Sequence, residues 1–284
     1  MRIPRFWSKQ RTDINLGGFT TPREVWGWSL SSVEDAANRA RELLARITKH
    51  LQDGTFDSYD YISNPPREEI VREFGAADDP AAIITRNAYG SLVLNTRDLV
   101  FVDVDCPEEP ATIKGFLKSL LGKAKSVSNS SDETLMKIGF WVGENPGYRV
   151  RIYRTAAGFR VLIVNATVLA TSAQAEQILE GLESDPLYRQ LCRVQECFRA
   201  RLTPKPWRIR RGRNPPNRFP WTEPESEQAY RDWESKYERA ASSYQTCQFI
   251  EEVGAEEYQI SDTHRSLIEL HDELTGAHAE RPLA

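Results

Sequence analysis

The stretch Leu99-Val100-Phe101-Val102-Asp103-Val104-Asp105 decides the fold, and Cys106-Pro107 ends it. A run of β-branched and aromatic residues of this kind predicts a buried strand. Because side chains alternate along a strand, Asp103 and Asp105 are expected on one face, with their Cα atoms roughly 6.5–7 Å apart. Carboxylates so placed can hold two Mg²⁺ or Mn²⁺ ions about 3.5–4 Å apart, the arrangement used in phosphoryl transfer. The alternative is that both acids simply end the strand in solvent.

The composition indicates a globular protein that does not cross a membrane. The chain has 284 residues, of which 40% are hydrophobic, so a substantial core is expected. Its apolar runs are shorter than the ~18–20 residues of a membrane-spanning helix, and its start lacks the apolar segment of a signal peptide. We therefore expect a cytoplasmic protein with no membrane partner. The cysteines include no C-x-x-C pair, which favours reduced core thiols over zinc ligands.

A basic segment, residues 193–218, interrupts a chain whose formal net charge is −4. It contains one acid, Glu196, and nine basic residues: Arg193, Arg199, Arg201, Lys205, Arg208, Arg210, Arg211, Arg213 and Arg218. Such segregation of charge is typical of a phosphate-binding surface. The candidates for contact with single-stranded DNA or RNA are Arg199, Arg201, Lys205 and Arg208. The aromatic residues that could stack on bases are Phe198, Trp207, Phe219 and Trp221. The alternative is a solvated, proline-rich loop whose arginines pair with surface acids.

Before Leu99, the pattern predicts helices and an antiparallel meander. After an irregular N-terminal segment, the capping box Ser31-x-x-Glu34 opens a helix that reaches Leu51. A short strand near Tyr59–Ile62 and a proline-started helix over Pro66–Phe74 are expected next. The meander is then formed by three closely spaced strands, Ala82–Arg86, Leu92–Asn95 and Leu99–Asp105.

After Leu99, the order of elements predicts the fold class. A helix at Ala111–Leu121, a strand at Ile138–Val142 and a hairpin over Tyr148–Val164 are followed by two helices. This order reads β-α-β-β-α-β with additions, which predicts an α+β protein with a ferredoxin-like or RRM-like antiparallel sheet and flanking helices. In that arrangement the strand that carries Asp103 and Asp105 is central, and the hairpin lies in the same sheet.

We expect the chain to be organised in three segments. Residues 1–80 are predicted to be an N-terminal α-rich elaboration, residues 81–224 a catalytic-type α+β core with the basic segment, and residues 225–284 a C-terminal helical region. In the last segment His264, His271 and His278 recur every seven residues. This spacing is more typical of a solvated helix face than of a metal site.

The predicted hairpin carries four arginines, more than a sheet needs: Arg149, Arg151, Arg154 and Arg160. They flank a turn of small residues, Thr155-Ala156-Ala157-Gly158, whose backbone could approach a ligand closely. If the hairpin adjoins the two aspartates, Arg154 and Arg160 could hold the phosphates of a nucleoside triphosphate through bidentate contacts. The alternative is an exposed sheet face of mixed charge.

These residues resemble the archaeo-eukaryotic primase superfamily, also called primase-polymerases, over roughly Ala82 to Arg211. In that family a strand of the form hydrophobic-Asp-hydrophobic-Asp supplies two metal ligands, which match Asp103 and Asp105. A later strand carries a nucleotide-contacting histidine after a glycine-containing turn, and Arg160 stands at that position here. The resemblance implies a metal-dependent nucleotidyltransferase that uses Mg²⁺ or Mn²⁺, nucleoside triphosphates and a nucleic acid.

Three functions remain open on the sequence alone. The first is a nucleotidyltransferase of primase-polymerase type, with catalysis and metal binding by Asp103 and Asp105. The second is a non-catalytic nucleic-acid-binding protein on the same fold, favoured by Arg160 in place of histidine and by the lack of an assignable third acid. The third is an enzyme that uses the two aspartates on a small nucleotide.

Overall fold

The structure, a computed structural model, describes residues 1–16, 19–53, 65–76, 78–106, 130–210, 212–254 and 259–284. Two predicted elements, the strand Tyr59–Ile62 and the helix Ala111–Leu121, lie outside the described residues, and so does Arg211.

The described residues form ten strands, six α-helices and a 3₁₀ turn. The strands are β1 Phe6–Leu16, β2 Phe19–Ser29, β3 Glu69–Gly75, β4 Pro80–Arg86, β5 Leu92–Thr96, β6 Val100–Asp105, β7 Val150–Thr155, β8 Gly158–Ile163, β9 Phe198–Arg201 and β10 Cys247–Val253. The helices are α1 Val33–Asp53, α2 Ser130–Glu144, α3 Ala173–Gly181, α4 Pro186–Gln195, α5 Pro224–Ala241 and α6 Asp262–Thr275, and the 3₁₀ turn is Pro206–Arg208. None of the described helices is long and apolar enough to cross a membrane.

Two four-stranded sheets share one hydrophobic core. Sheet I has the strand order β3-β4-β5-β9, and sheet II has the order β10-β7-β8-β6. All the pairings are antiparallel. Because β6 and β8 are buried along nearly their whole length, their side chains pack on both faces of sheet II, as a continuous apolar run predicts. Buried residues of α2, α3 and α6 complete this core, among them Ile138, Ile178 and Leu267.

The α+β class is confirmed, whereas the ferredoxin-like arrangement is not. As predicted, the β7–β8 hairpin lies in the same sheet as β6, and β8 lies between β6 and β7 as in a split β-α-β unit. The next strand departs from the pattern, because β9 pairs with β5 in sheet I. Strand β6 is therefore at the edge of sheet II and not at its centre. The predicted three-strand meander is wrong for the same reason, since β6 pairs with β8 and not with β5.

Tyr188 and Arg160 join the edges of the two sheets. The Tyr188 hydroxyl donates a hydrogen bond to the carbonyl oxygen of Phe101 in β6, at 2.7 Å. It accepts one from the backbone N–H of Arg199 in β9, at 3.3 Å. Nη1 of Arg160 in β8 donates to the carbonyl oxygen of Arg201 in β9, at 3.0 Å. Side chains thus form hydrogen bonds with backbone groups of β6 and β9. In a continuous sheet these groups would bond to the backbone of a neighbouring strand.

Two predicted elements have the wrong type. Residues 138–142, predicted as a strand, belong to helix α2, in which Thr134, Ile138, Trp141 and Val142 are buried. That spacing follows the helical period, which is visible only over a window longer than five residues. The helix predicted over Pro66–Phe74 is instead β3, because pairing with β4 outweighs the local helix-start signal.

The N-terminal segment is a β-hairpin with a helix packed on it, not an irregular segment before a helix. Strands β1 and β2 pair along eleven residues each, and α1 contacts both. Gly27 permits the close approach, since a Cβ there would lie 2.1 Å from the carbonyl oxygen of Ala36. Ile3 packs with Ile83 and Cys197 and so ties this hairpin to sheet I.

The three-segment division stays a prediction, but its outer segments contribute strands to the two main sheets. Strand β3, from the segment 1–80, is part of sheet I. Strand β10, from the segment 225–284 that was predicted to be helical, is part of sheet II. Backbone pairing of β3 and β10 therefore joins both outer segments to the main sheets, whereas β1 and β2 pair only with each other among the described strands.

Candidate functional site

Asp103 is held by Arg160 in a two-pronged ion pair. Nε of Arg160 lies 2.7 Å from Oδ1 of Asp103, and Nη2 lies 3.1 Å from Oδ2. The Arg160 side chain is 1% exposed and the Asp103 side chain 40% exposed. Desolvation, the largest single cause, acts to raise the pKa of Asp103, but the charge and hydrogen bonds of Arg160, together with the charge of Arg201, hold that pKa below its ordinary value. Both residues are therefore charged, and each neutralises the other.

A buried histidine extends this pair into a polar network. His271 of α6 is fully buried, with Nε2 3.2 Å from Nη1 of Arg160 and Nδ1 3.0 Å from Oδ1 of Asp272. Since arginine can only donate, Nε2 accepts, and the ring proton lies on Nδ1 and is donated to Asp272. Asp272 also accepts hydrogen bonds from the Tyr153 hydroxyl and from Arg151, each at 2.7 Å. The predicted solvated position of His271 is wrong, because the helix face that carries it covers sheet II.

The buried His271 predicts a loss of stability in acid. Desolvation, the leading cause, lowers the pKa of His271 to about 4, whereas an unfolded chain has an ordinary histidine pKa of about 6.5. The unfolded state therefore binds the proton first as pH falls. The free energy of unfolding is expected to drop between about pH 6.5 and pH 4, by up to roughly 3 kcal/mol. Urea denaturation across this range measures it.

The matched control for this pH dependence is His271→Gln, which keeps a polar side chain and cannot titrate. Its free energy of unfolding is expected to fall less steeply than that of the wild type from pH 6.5 to pH 4. Equal slopes in the two proteins would contradict a neutral, buried His271.

Asp105 lies at the end of β6 in a cleft of about 780 Å³, which we call the cationic cleft. Its lining includes Asp105, Ser130, Arg154, Gly158, Lys205 and Arg208. Asp105 is exposed, and desolvation together with the negative charges of Asp103 and Asp185 raises its pKa. A carboxylate in this position is available to a ligand, in contrast to that of Asp103.

Three cationic side chains line the same cleft as Asp105. Lys205 and Arg208 come from the segment after β9, and Arg154 comes from the end of β7. Arg154 is opposite Phe159 and so belongs to the other sheet face, but it reaches the cleft at the hairpin's end. Within the described residues, none of these three cations forms an ion pair closer than 4.0 Å. The described lining of the cleft therefore has a net positive charge.

Arg201 does not line the cleft, but its guanidinium is close enough to Lys205 and Arg208 for their charges to interact. Its Nε is buried and has no hydrogen-bond partner among the described residues. Desolvation is the main cause that lowers its pKa to about 10, and the charges of Arg160 and Arg208 act in the same direction. The pKa of Lys205 is likewise lowered, first by desolvation and then by Arg201 and Arg208. Because the cations repel each other and are partly stripped of water, an anion bound among them would be stabilised.

Four of the predicted site residues do not line this cleft: Asp103, Arg160, Arg199 and Arg201. The Arg199 side chain in sheet I is 13% exposed, and its Nη2 lies 2.7 Å from Oε1 and 2.8 Å from Oε2 of Glu68. Arg160, predicted as a phosphate contact, has its charge neutralised by Asp103. The structure thus brings together Asp105, Arg154, Lys205 and Arg208 in one cleft, with Arg201 nearby. By contrast, Arg160 and Arg199 form ion pairs with Asp103 and Glu68.

The aromatic residues in and next to the basic segment also differ in how far they are exposed. Phe198 is fully buried in the core. Trp221 packs against Phe219 and Tyr230, with ring centroids 5.4 and 4.8 Å apart. Trp207 is half exposed, and it lies between Lys205 and Arg208 in the sequence.

The donor groups do not fit a centre with two metal ions. Both carboxylate oxygens of Asp103 accept hydrogen bonds from Arg160. In the described part of the chain, no three His, Cys, Asp or Glu side chains converge as a metal site. A two-ion centre needs several oxygen ligands. Asp105 can offer one carboxylate to a hydrated Mg²⁺ or Mn²⁺ that also binds phosphate.

Sequence reasoning did not predict the side chains that bind Asp103, Arg160 and Arg199 in the structure, which include Glu68 and His271. Glu68 lies in a stretch predicted to be helical, and His271 is more than a hundred residues from Arg160. The dipeptide His271-Asp272 was the one signal in the sequence, because neighbouring titratable residues on an amphipathic helix can be buried as a bonded pair. A second hollow, of about 520 Å³ at the end of α6, has the acidic lining residues Glu269, Asp272 and Glu273 and none of the predicted site residues.

The chain was compared with known proteins in three ways. A scan against protein-family models and searches of curated proteins and of solved structures found no match.

Proposed function

We propose that this protein binds single-stranded nucleic acid and that its cationic cleft holds the phosphate backbone. The observation that carries the proposal is the surplus of positive charge among the described residues that line the cleft, which are Arg154, Lys205 and Arg208 against one carboxylate, Asp105. Cations that have no carboxylate partner among the described residues gain most from binding an anion, because no ion pair seen there has to be broken.

The position of the cleft is consistent with binding of a long, chain-like anion such as a nucleic-acid backbone. As formed by the described residues, the cleft lies at the junction of the two sheets, between the end of β6, the β7–β8 turn and the start of α2. Lysine and arginine on separate elements can contact successive phosphates, and such contacts are independent of base sequence.

Lys205 and Arg208 are expected to control the affinity and its salt dependence. Replacing Lys205 or Arg208 by Ala should weaken binding of a labelled single-stranded oligonucleotide by about tenfold or more at low salt, since each substitution removes a hydrogen bond between charged groups worth about 1.5–3 kcal/mol. The slope of log K against log salt should become shallower by about 0.7 for each phosphate that the variant no longer neutralises. Fluorescence anisotropy over a salt series measures both quantities.

Arg210→Ala is the matched control, because Arg210 belongs to the same basic segment but is exposed and is not part of the cleft lining. Its affinity and slope should stay close to those of the wild type. If Arg208→Ala and Arg210→Ala have the same effect, the binding is a diffuse attraction to the segment and not a property of the cleft.

Metal-dependent nucleotidyl transfer is the second candidate, and Asp105 is the observation that favours it. This carboxylate is exposed and has a raised pKa beside cations that could hold a triphosphate. The pairing of Asp103 with Arg160 weighs against a two-ion mechanism. Incubation with Mn²⁺, labelled nucleotides and a primed single strand distinguishes the candidates, because only an enzyme extends the primer and only an enzyme loses that activity in Asp105→Asn.

A further inference from the structure

An exposed aromatic pair stands beside the cationic cleft. Trp207 lies on the 3₁₀ turn after β9 and is 50% exposed, and Tyr89 lies on the turn between β4 and β5 and is 43% exposed. Their ring centroids are 4.9 Å apart, and their planes are nearly perpendicular, at 87°. Single exposed aromatic residues are common on protein surfaces, but this pair combines two rings in contact with the cations of the neighbouring cleft.

The charge next to this pair indicates what the ligand is. Nζ of Lys205 lies 5.5 Å from the centre of the indole ring of Trp207. Lys205 and Arg208, which flank Trp207 in sequence, both line the cleft. A phosphate bound by Lys205 is therefore next to an exposed aromatic ring. This arrangement matches a nucleotide, in which a phosphate and an aromatic base lie close together.

We propose that Trp207, supported by Tyr89, stacks on an unpaired base of a single strand whose phosphates lie in the cationic cleft. The inference rests on the proposed function and adds a base-contact site to it. Trp207 is outside the cleft lining, so the base lies at the rim and the strand runs from the rim into the cleft. Stacking on an open ring surface accepts any base, because every base has a π-face.

Tyr89 holds the indole in place from a second element. Its backbone N–H donates to Oδ1 of Asn87 at 3.0 Å, which fixes the turn that carries it. Edge-to-face contact restrains the Trp207 ring while half of its surface stays in water. A ring held in this way loses little conformational entropy when a base binds.

The test compares an oligothymidylate with an abasic strand of the same length, which has the phosphates but no bases. Wild type should bind the oligothymidylate about tenfold more tightly than the abasic strand. Trp207→Leu should lose that preference, and its affinity for the abasic strand should be unchanged. Trp207→Phe should keep most of the preference, because it keeps a π-face. Phe140→Leu is the matched control, since Phe140 is an exposed aromatic residue of α2 outside the cleft lining.

The outcomes separate this inference from the proposed function. If Trp207→Leu keeps the preference for the oligothymidylate, the base-contact site is wrong while binding by the cleft stands. If wild type binds both strands equally, the base-contact site is also wrong. If wild type binds neither strand, both proposals fail. Circular dichroism and melting of each variant confirm that it is folded.

Discussion

Replacing Arg160 by Met is expected to lower the free energy of unfolding by about 3 kcal/mol or more. The substitution leaves Asp103 without its guanidinium partner. It also removes the donor to the carbonyl oxygen of Arg201 and to Nε2 of His271. Removing one partner of a buried pair costs about 3–5 kcal/mol, and the 40% exposure of Asp103 places the cost at the low end of that range. Urea denaturation monitored by fluorescence measures the loss.

The double variant Asp103→Leu with Arg160→Met is the control that identifies the ion pair as the cause. Two apolar side chains of similar volume often replace a buried pair without loss, so the double variant should regain most of the stability lost in Arg160→Met. If Arg160→Met is as stable as wild type and instead binds nucleoside triphosphates more weakly, Arg160 is a phosphate contact and the structural interpretation is wrong.

Replacing Gly158 by Ala is expected to disrupt the end of β6 and the cleft beside it. A Cβ at Gly158 would lie 2.1 Å from the carbonyl oxygen of Val104 and 2.8 Å from the backbone nitrogen of Cys106. These are backbone atoms of the neighbouring strand, so the β7–β8 hairpin must move away from β6. Overpacking of this kind costs about 1–3 kcal/mol, and we expect the upper end because the backbone cannot rotate away as a side chain can.

Gly147→Ala is the matched control for this substitution. Gly147 precedes the same hairpin, but a Cβ there would have no neighbour within 4 Å. Its melting temperature should be unchanged, whereas that of Gly158→Ala should fall by several degrees. Because Gly158 also lines the cationic cleft, Gly158→Ala should bind the single-stranded oligonucleotide more weakly as well. Unchanged stability in Gly158→Ala would show that the two strands are less tightly apposed than the structure indicates.

The two aspartates of β6 have different roles in spite of their equivalent positions on one strand face. Asp103 is opposite Arg160 in the strand register, and its charge is neutralised there. Asp105 is opposite Gly158, which has no side chain and so leaves that carboxylate open to the cleft. The residue across the strand therefore decides which acid is structural and which can meet a ligand. This asymmetry favours nucleic-acid binding over a two-ion catalytic mechanism.

Several features follow from local sequence alone. The apolar run at residues 99–105 forms a strand because β-branched side chains suit a buried sheet, and the small-residue turn at 155–158 makes the hairpin that follows. The helix predicted to begin near Ser31 forms as α1, but its cap is Ser32 and not Ser31, because the Ser32 hydroxyl accepts a hydrogen bond from the backbone N–H of Asp35 at 3.1 Å. The α+β class follows from these elements.

Tertiary structure alone decided which strand edges meet and which charges are neutralised. β9 pairs with β5 and not with β6, which no local pattern encodes, because strand edges carry the same backbone groups. Glu68 and His271 reach Arg199 and Arg160 from distant parts of the chain and remove both arginines from the candidate phosphate contacts. The sequence by itself thus determined where the charges and the acids lie along the strands. Only long-range packing decided which of them stay free to bind, because the partner of a buried charge is fixed by the fold and not by its neighbours in sequence.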